Sequence, residues 1–258
     1  MLDEDWIVPP GCKYSIMDHP SGTNRAVEVA VFQDHRFAFF FWLKWRSQLG
    51  PDEAAPLLVS LDWHEDLAAP DEAEIDDLNA LRIDHLRDVA VFCWGKLNSN
   101  NDGHILAAAY LNFVGDIYVV RKQHGCSARS FQDGSGRQHR ISCFSSVVDL
   151  LRALEKAQDQ RVFFDIDLDY FTESPDSCGG GAEVRLVDDR EVAATLDPQG
   201  ELMSWVFPRM CGMTIATEPD FCGGVINAGR LLGILSDTLF HPQLLAHDVK
   251  WKHLNSTK

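Results

Sequence analysis

Six short apolar runs punctuate the chain: AVEVAVF (26–32), PLLVSLD (56–62), VAVFCW (89–94), DIYVV (116–120), RVFFDID (161–167) and MTIATEP (213–219). Most are continuously apolar rather than alternating, as expected of strands buried on both faces. Between them run helical patterns: HRFAFFFWLKWRSQL (35–49), EIDDLNALRIDHLRDV (74–89), GHILAAAYLNFV (103–114), SVVDLLRALEKAQ (146–158) and INAGRLLGILSDTLF (226–240). The serines before Val147, and Asn227, suit amino-terminal helix caps. This alternation predicts an α/β protein with a mostly parallel central sheet and helices on both faces. The dense aromatics of FAFFFWLKW fall at helical spacing and are assigned to the core. Two polar, glycine-containing stretches, 122–140 and 172–184, read as long loops. With no internal repeat or low-complexity linker, residues 1–258 are read as a single domain.

Where the acids and histidines fall adds chemistry to this outline. The first run leads into Asp34-His35, the second into Asp62-Trp63-His64-Glu65-Asp66, and the fifth into Asp165-Ile166-Asp167-Leu168-Asp169; MTIATEP ends at Glu218. In open parallel sheets ligands bind beyond the carboxyl ends of the strands, so four separate segments deliver polar groups to one edge. His35, Asp62, His64, Asp66, Asp165 and Asp167 supply four carboxylates and two imidazoles without a thiolate. Hard oxygen with some nitrogen suits Mn²⁺ better than a structural zinc site. Four carboxylates balance two divalent ions, and a pair of ions sharing carboxylate bridges lowers the pKa of a water held between them.

Composition narrows the field. The formal net charge of −16 disfavours a nucleic-acid surface, which needs clustered Lys and Arg, and is compatible with a cationic substrate. The apolar stretch from Phe37 to Leu43 is far too short to span a bilayer. The acidic start MLDEDWIVPPGCKY has no apolar signal core, so a soluble cytoplasmic protein is expected. Seven cysteines without a C-x-x-C pair argue against a disulfide framework or a zinc ribbon; Cys178 and Cys222 lie in turn-like sequence where exposure is expected.

QDHRFA, SLDWHED and FFDIDLDYF occur in the order of the metal motifs of the arginase and deacetylase superfamily, which this sequence resembles. DIDLDYF and TEPDFCGG are most similar to its divergent peptide-arginase branch, which converts arginine side chains of ribosomally made precursor peptides to ornithine. The resemblance implies a three-layer αβα arginase/deacetylase-like fold and two Mn²⁺ ions. It implies that His35, Asp62, Asp66 and Asp165 hold one ion and that His64, Asp62, Asp165 and Asp167 hold the other. Asp66 would then help pass a proton to the leaving amine, and Glu218 would pair with the guanidinium, accepting two parallel N–H bonds. Asp169 is assigned to substrate binding or to bracing the metal loop. His104 is the preferred proton shuttle, with His139 and His124 as rivals. The family's usual GGDHS around the first histidine is absent here.

The implied partner is an arginine-containing precursor peptide, because no equivalent of the conventional loop for free arginine's amino and carboxylate ends is visible. Three alternatives stay open: hydrolysis of free arginine or agmatine, deacetylation of an amine, and a non-catalytic metal-containing peptide-binding partner. DIDLD by itself also resembles the start of haloacid-dehalogenase-type phosphatases, a reading that leaves His35 and residues 62–66 without a role. A homo-oligomer stays open too, since HDVKWKHLNSTK shows no equivalent of the segment through which conventional arginases assemble.

Overall fold

The computed structural model describes residues 7–50, 52–123, 128–157, 160–181 and 183–255. In chain order the main elements are β1 (Lys13–Asp18), β2 (Ala26–Phe32), α1 (Ala38–Ser47), β3 (Leu57–Asp62), α2 (Glu72–Ala80), α3 (Leu86–Gly95), α4 (His104–Tyr110) and β4 (Ile117–Arg121). They continue with β5 (Arg129–Gln132), β6 (Gln138–Phe144), α5 (Val147–Leu154), β7 (Val162–Asp167), the short pair β8 (Thr172–Glu173) and β9 (Arg185–Leu186), α6 (Asp189–Thr195), α7 (Glu201–Val206), β10 (Met210–Ala216) and α8 (Val225–Leu239). Eight strands form one sheet in the order β1-β2-β10-β7-β3-β4-β6-β5. Only the outermost pairs, β1 with β2 and β5 with β6, are antiparallel.

Helices cover both faces, giving the three-layer αβα arrangement. One core sets Val59, Phe164 and Ile215 of the strands against α5 to α8; the other sets Leu58, Phe163 and Ala216 against α1 to α4. Both faces of the central strands are therefore apolar, which is why these segments read as unbroken runs. Helix α1 buries every residue from Ala38 to Trp45, Lys44 included, as a helix packed on all sides must. Lys44 is tolerated there because its ammonium meets Glu28 at 2.9 Å.

Several elements differ from the sequence reading. VAVFCW is not a strand but part of α3: Val89, Ala90, Phe92 and Cys93 are buried while Val91 and Trp94 are exposed, a helical period rather than alternation. The single helix expected over 74–89 is two helices, broken at 81–85. The stretch 122–140 carries most of a β5–β6 hairpin, and β1, α6 and α7 were not foreseen. Ser146 does cap α5, accepting from the Asp149 amide at 3.2 Å, whereas α8 starts at Val225 behind Gly224 and not at Asn227.

The result that matters for chemistry is the common edge. The ends of β2, β10, β7 and β3 lie side by side, and the register sets Ser60 and Thr214 on either side of Asp165, with Ala216 beside Asp167. Behind that edge, β10 and α1 approach closely: a methyl group on Gly212 would sit 2.2 Å from the Trp45 ring. Gly212→Ala should therefore lower stability by about 1–3 kcal/mol through overpacking, read as a lower denaturation midpoint with an unchanged slope.

Candidate metal centre

Each histidine of the pair enters the edge from a different loop. His35 opens a 3-10 turn directly after β2 and is completely buried. Its Nε2–H donates to Asp165 Oδ2 at 2.9 Å, which leaves Nδ1 facing the acids. That Nδ1 lies 2.9 Å from Asp66 Oδ2, 3.2 Å from Asp167 Oδ2 and 3.5 Å from Asp62 Oδ2. His64 follows β3, and its Nε2–H donates to the Cys178 carbonyl at 2.9 Å. Its Nδ1 faces Asp169 Oδ2 at 3.0 Å and Asp62 Oδ1 at 3.6 Å. Asp62 thus offers one oxygen toward each imidazole, and Asp167 groups both with His35 and Asp62 and with Asp169 and Glu218.

These groups fit a pair of divalent ions. Ligand atoms about 2.1 Å from one six-coordinate ion lie about 3 Å from each other, close to the spacings around His35 Nδ1. His35 Nδ1, Asp62 Oδ2 and Asp169 Oδ2 are buried without a hydrogen-bond partner, an arrangement a protein fold seldom retains unless something else satisfies them. Both histidines have the second nitrogen tied to a carboxylate or carbonyl, the outer-shell arrangement typical of metal-ligating imidazoles. The residues that could hold metal are His35, Asp62, Asp66 and Asp167 around one imidazole and His64, Asp62, Asp66 and Asp169 around the other, with Asp167, Asp169 and Glu218 forming a further group.

The structure departs from the sequence reading at Asp165. Asp165 does not enter the cluster. It lies two residues, about 6.6 Å, deeper along β7, where His35 Nε2, Ser60 Oγ and Thr214 Oγ1 all donate to it. Although burial alone would raise it, the His35 charge and these bonds hold its carboxyl below the usual range. Asp169, expected at the substrate or as a brace, does brace the loop: a 3-10 turn over Leu168–Phe171 swings it back under His64, where Oδ1 accepts from the Trp63 amide at 3.0 Å and Oδ2 lies 3.0 Å from His64 Nδ1. DIDLD contains the Asp-x-Asp spacing twice, and only the strand end decides which copy faces the cluster.

His104 is also placed differently from a shuttle that exchanges protons with water. It is fully buried between His35, ring centroids 4.3 Å apart, and Trp42, at 5.5 Å, with Nδ1 donating to the Asn101 carbonyl. Burial and the neighbouring His35 push it well below its ordinary value, and it groups with His35 and Asp66 as a further set of metal-type donors. His139 is tied at both nitrogens to the Gly115 carbonyl and Asp133, and His124 lies outside the described residues. Cys222, expected to be exposed, is buried with its thiol on the Thr217 carbonyl; Cys178 is exposed.

Glu218 stands at the rim as expected, beyond β10, held by the His35 amide and Asn101 Nδ2, both on Oε1, at 3.0 and 2.8 Å. Burial pushes its carboxyl up to about 7, with His35 opposing and Asp169 adding to the rise. It shares with Glu65, Asp66, Asp102, Asn101 and Phe221 the lining of a cleft of about 360 Å³ above the cluster. A larger cavity of about 620 Å³ between α6 and α8 contains no such group of metal-type donors among the described residues, so size is not the guide here.

No protein-family model and no curated protein matches the chain.

Residues the sequence reading passed over include Ser60, Thr214, Asn101 and Phe221, whose ring meets His64 edge-on at 4.6 Å. Ser60 and Thr214 had a signal: each is a lone hydroxyl in an otherwise apolar strand, and both are fully buried.

Two measurements follow from this geometry. Were the cluster to hold Mn²⁺, Asp165→Asn should weaken its binding about 10–100-fold without changing the number of ions per chain, whereas Asp169→Asn should lower that number, as metal analysis and chelator competition would report. The pH dependence has a definite sign. Burial, with neighbouring carboxylates adding, raises Asp62, Asp66 and Asp167; His35 is raised despite burial by Asp165, and His64 is raised to about 12 by Asp169 and Asp62 against the same burial. The metal-free fold thus holds protons that the unfolded chain gives up, and the stability they contribute falls as pH climbs from the carboxylate range through neutrality. Metal must displace those protons, so the rise in Tm on adding Mn²⁺ to chelator-stripped protein should be larger at about pH 8 than at about pH 6.

Proposed function

We propose that the protein is a binuclear-manganese hydrolase of guanidinium groups that converts arginine side chains of a peptide to ornithine and urea. The observation that carries this reading is the pair of imidazoles, each with its second nitrogen tied, converging on Asp62, Asp66, Asp167 and Asp169 beneath an acidic cleft. When bound, two such ions make a water acidic enough to act as a nucleophile at neutral pH.

The chain's own groups do the rest. Glu218 binds and orients the planar guanidinium: with both of its hydrogen bonds on Oε1, Oε2 is left to accept an N–H. Asp66 takes the proton of the attacking water and returns it to the departing side-chain nitrogen as the carbon–nitrogen bond breaks. Asp165 keeps His35 in one tautomer, and His104 and Trp42 hold the imidazole from behind.

The cleft lining favours an arginine whose carboxylate is already in a peptide bond. Among the described residues its lining contains no Lys or Arg; Glu65 is faced by Arg121 and Arg129 at 4.0 and 3.8 Å, but Asp66, Asp102 and Glu218 leave the cleft acidic, so the carboxylate of free arginine would meet like charge there. Agmatine, which has no carboxylate, meets no such barrier and is the second reading. No helix among the described residues is long and apolar enough to cross a membrane, and the absence of a disulfide among the described cysteines supports a cytoplasmic setting with a newly made peptide as partner.

Incubation of the manganese-loaded protein with an arginine-containing peptide should lower its mass by about 42 Da per converted side chain and release urea. Free arginine should be a poor substrate. Glu218→Gln should reduce kcat/KM by about 100-fold or more while two ions stay bound. Bound manganese with no mass change on any peptide, arginine or agmatine would reject the enzymatic reading in favour of a binding partner.

A further inference from the structure

We propose that Phe221 is a specificity-determining residue of the cleft: its ring receives the flat face of the cationic guanidinium whose edge Glu218 binds. The inference rests on the guanidinium reading above and names the group that tells a planar cation from a neutral side chain of the same shape.

Phe221 and Glu218 reach the cleft from a single turn. The amides of Phe221 and Cys222 donate to the Glu218 carbonyl at 3.0 and 3.1 Å, so carboxylate and ring stand on one tight bend. Glu218 takes a φ of 26°, a region that residues with side chains seldom occupy and that costs backbone energy. Both residues line the cleft of about 360 Å³ above the cluster. Both also line, with Asn101, a smaller cavity of about 40 Å³ that shares these three residues with the cleft. The ring is only partly buried, so part of its surface stays open toward that space.

The ring is also held in place. It meets the His64 imidazole with centroids 4.6 Å apart and planes at 73°. The chain at Gly180 packs against it, where a methyl group would sit 3.1 Å from Phe221 Cδ1. Among the described residues of the lining, the one other aromatic ring is that of His64, whose Nδ1 is turned to Asp62 and Asp169. Phe221 is thus the ring left for a substrate. A guanidinium donates its N–H bonds only in its own plane, and its faces are weakly hydrated and stack on aromatic rings. Complete recognition therefore needs an acceptor at the edge and a ring at the face. Glu218 Oε2 supplies the first, and Phe221 supplies the second, attracting the cation through its negative π face. The contact is made with the planar cation that enters and weakens as the central carbon becomes tetrahedral, so its loss acts on KM more than on kcat.

The test uses the full chain loaded with Mn²⁺, an arginine-containing peptide as substrate, and the same peptide with citrulline, a neutral isostere, as competitive inhibitor. Phe221→Leu should raise KM for the arginine peptide about tenfold, change kcat by less than about twofold, and leave the citrulline Ki nearly unchanged. Phe221→Tyr, which keeps the ring, should keep KM. A phenylalanine with three ring fluorines in place of Phe221 preserves the ring's shape and contacts but drains its negative face, and should raise KM about fivefold. Because Phe221 also touches His64, metal analysis accompanies each variant, and the fluorinated ring decides where leucine lowers the manganese content. A KM unmoved by fluorination, or a citrulline Ki that rises in step with the arginine KM, makes Phe221 a plain wall of the cleft and overturns the inference. If no peptide is hydrolysed, the catalytic reading fails separately, and fluorescence anisotropy of the labelled peptides decides. A preference for the arginine peptide over the citrulline peptide that fluorination weakens sustains the ring's role, and a preference that fluorination leaves intact removes it.

Discussion

Four carboxylates share one buried corner with two imidazoles, and the structure around that corner is organised by the repulsion among them. Asp62, Asp167 and Asp169 are almost wholly inaccessible, Asp66 nearly so, and each would rather be neutral or solvated. Without metal the balance is struck with protons on His35, His64 and the acids themselves. With two divalent ions, four negative charges are balanced outright. The edge of the sheet therefore gathers groups whose protonation would change on binding cations.

Holding such a corner in place requires a second layer, and here it is built from the sheet. Ser60 and Thr214 stand on the strands flanking Asp165 and direct their hydroxyls to it, and Trp42 Nε1 donates to Thr214 in turn. Asp165 then fixes the tautomer of His35, and the Cys178 carbonyl does the same for His64. On the opposite flank, Asn101 and the His35 amide hold Glu218 on Oε1. His35, His64 and Glu218 are thus each oriented by a hydrogen bond with a different segment of the chain.

Much of the fold was legible because burial on both faces leaves a mark that composition cannot hide. The strands β2, β3, β4, β7 and β10 read as apolar runs for that reason, and the helices between them as periodic ones. VAVFCW misled because a run of six apolar residues fits either a buried strand or a helix with two exposed positions, and periodicity over so short a window does not separate them. The β5–β6 hairpin escaped because β5 is an edge strand and both strands are largely polar.

By itself the sequence determined the α/β class, the edge at which chemistry gathers, and the residue types that gather there, since each follows from local pattern and the geometry of parallel strands. It did not determine which of Asp165, Asp167 and Asp169 face the cluster. Their spacing of two is repeated, and the choice depends on where β7 gives way to a turn against β3 and β10. Nor did it place His104, whose helix could start at the mouth or beneath His35 with the same local signals. Those choices were made by packing between segments far apart in the chain, which alternation and propensity do not record.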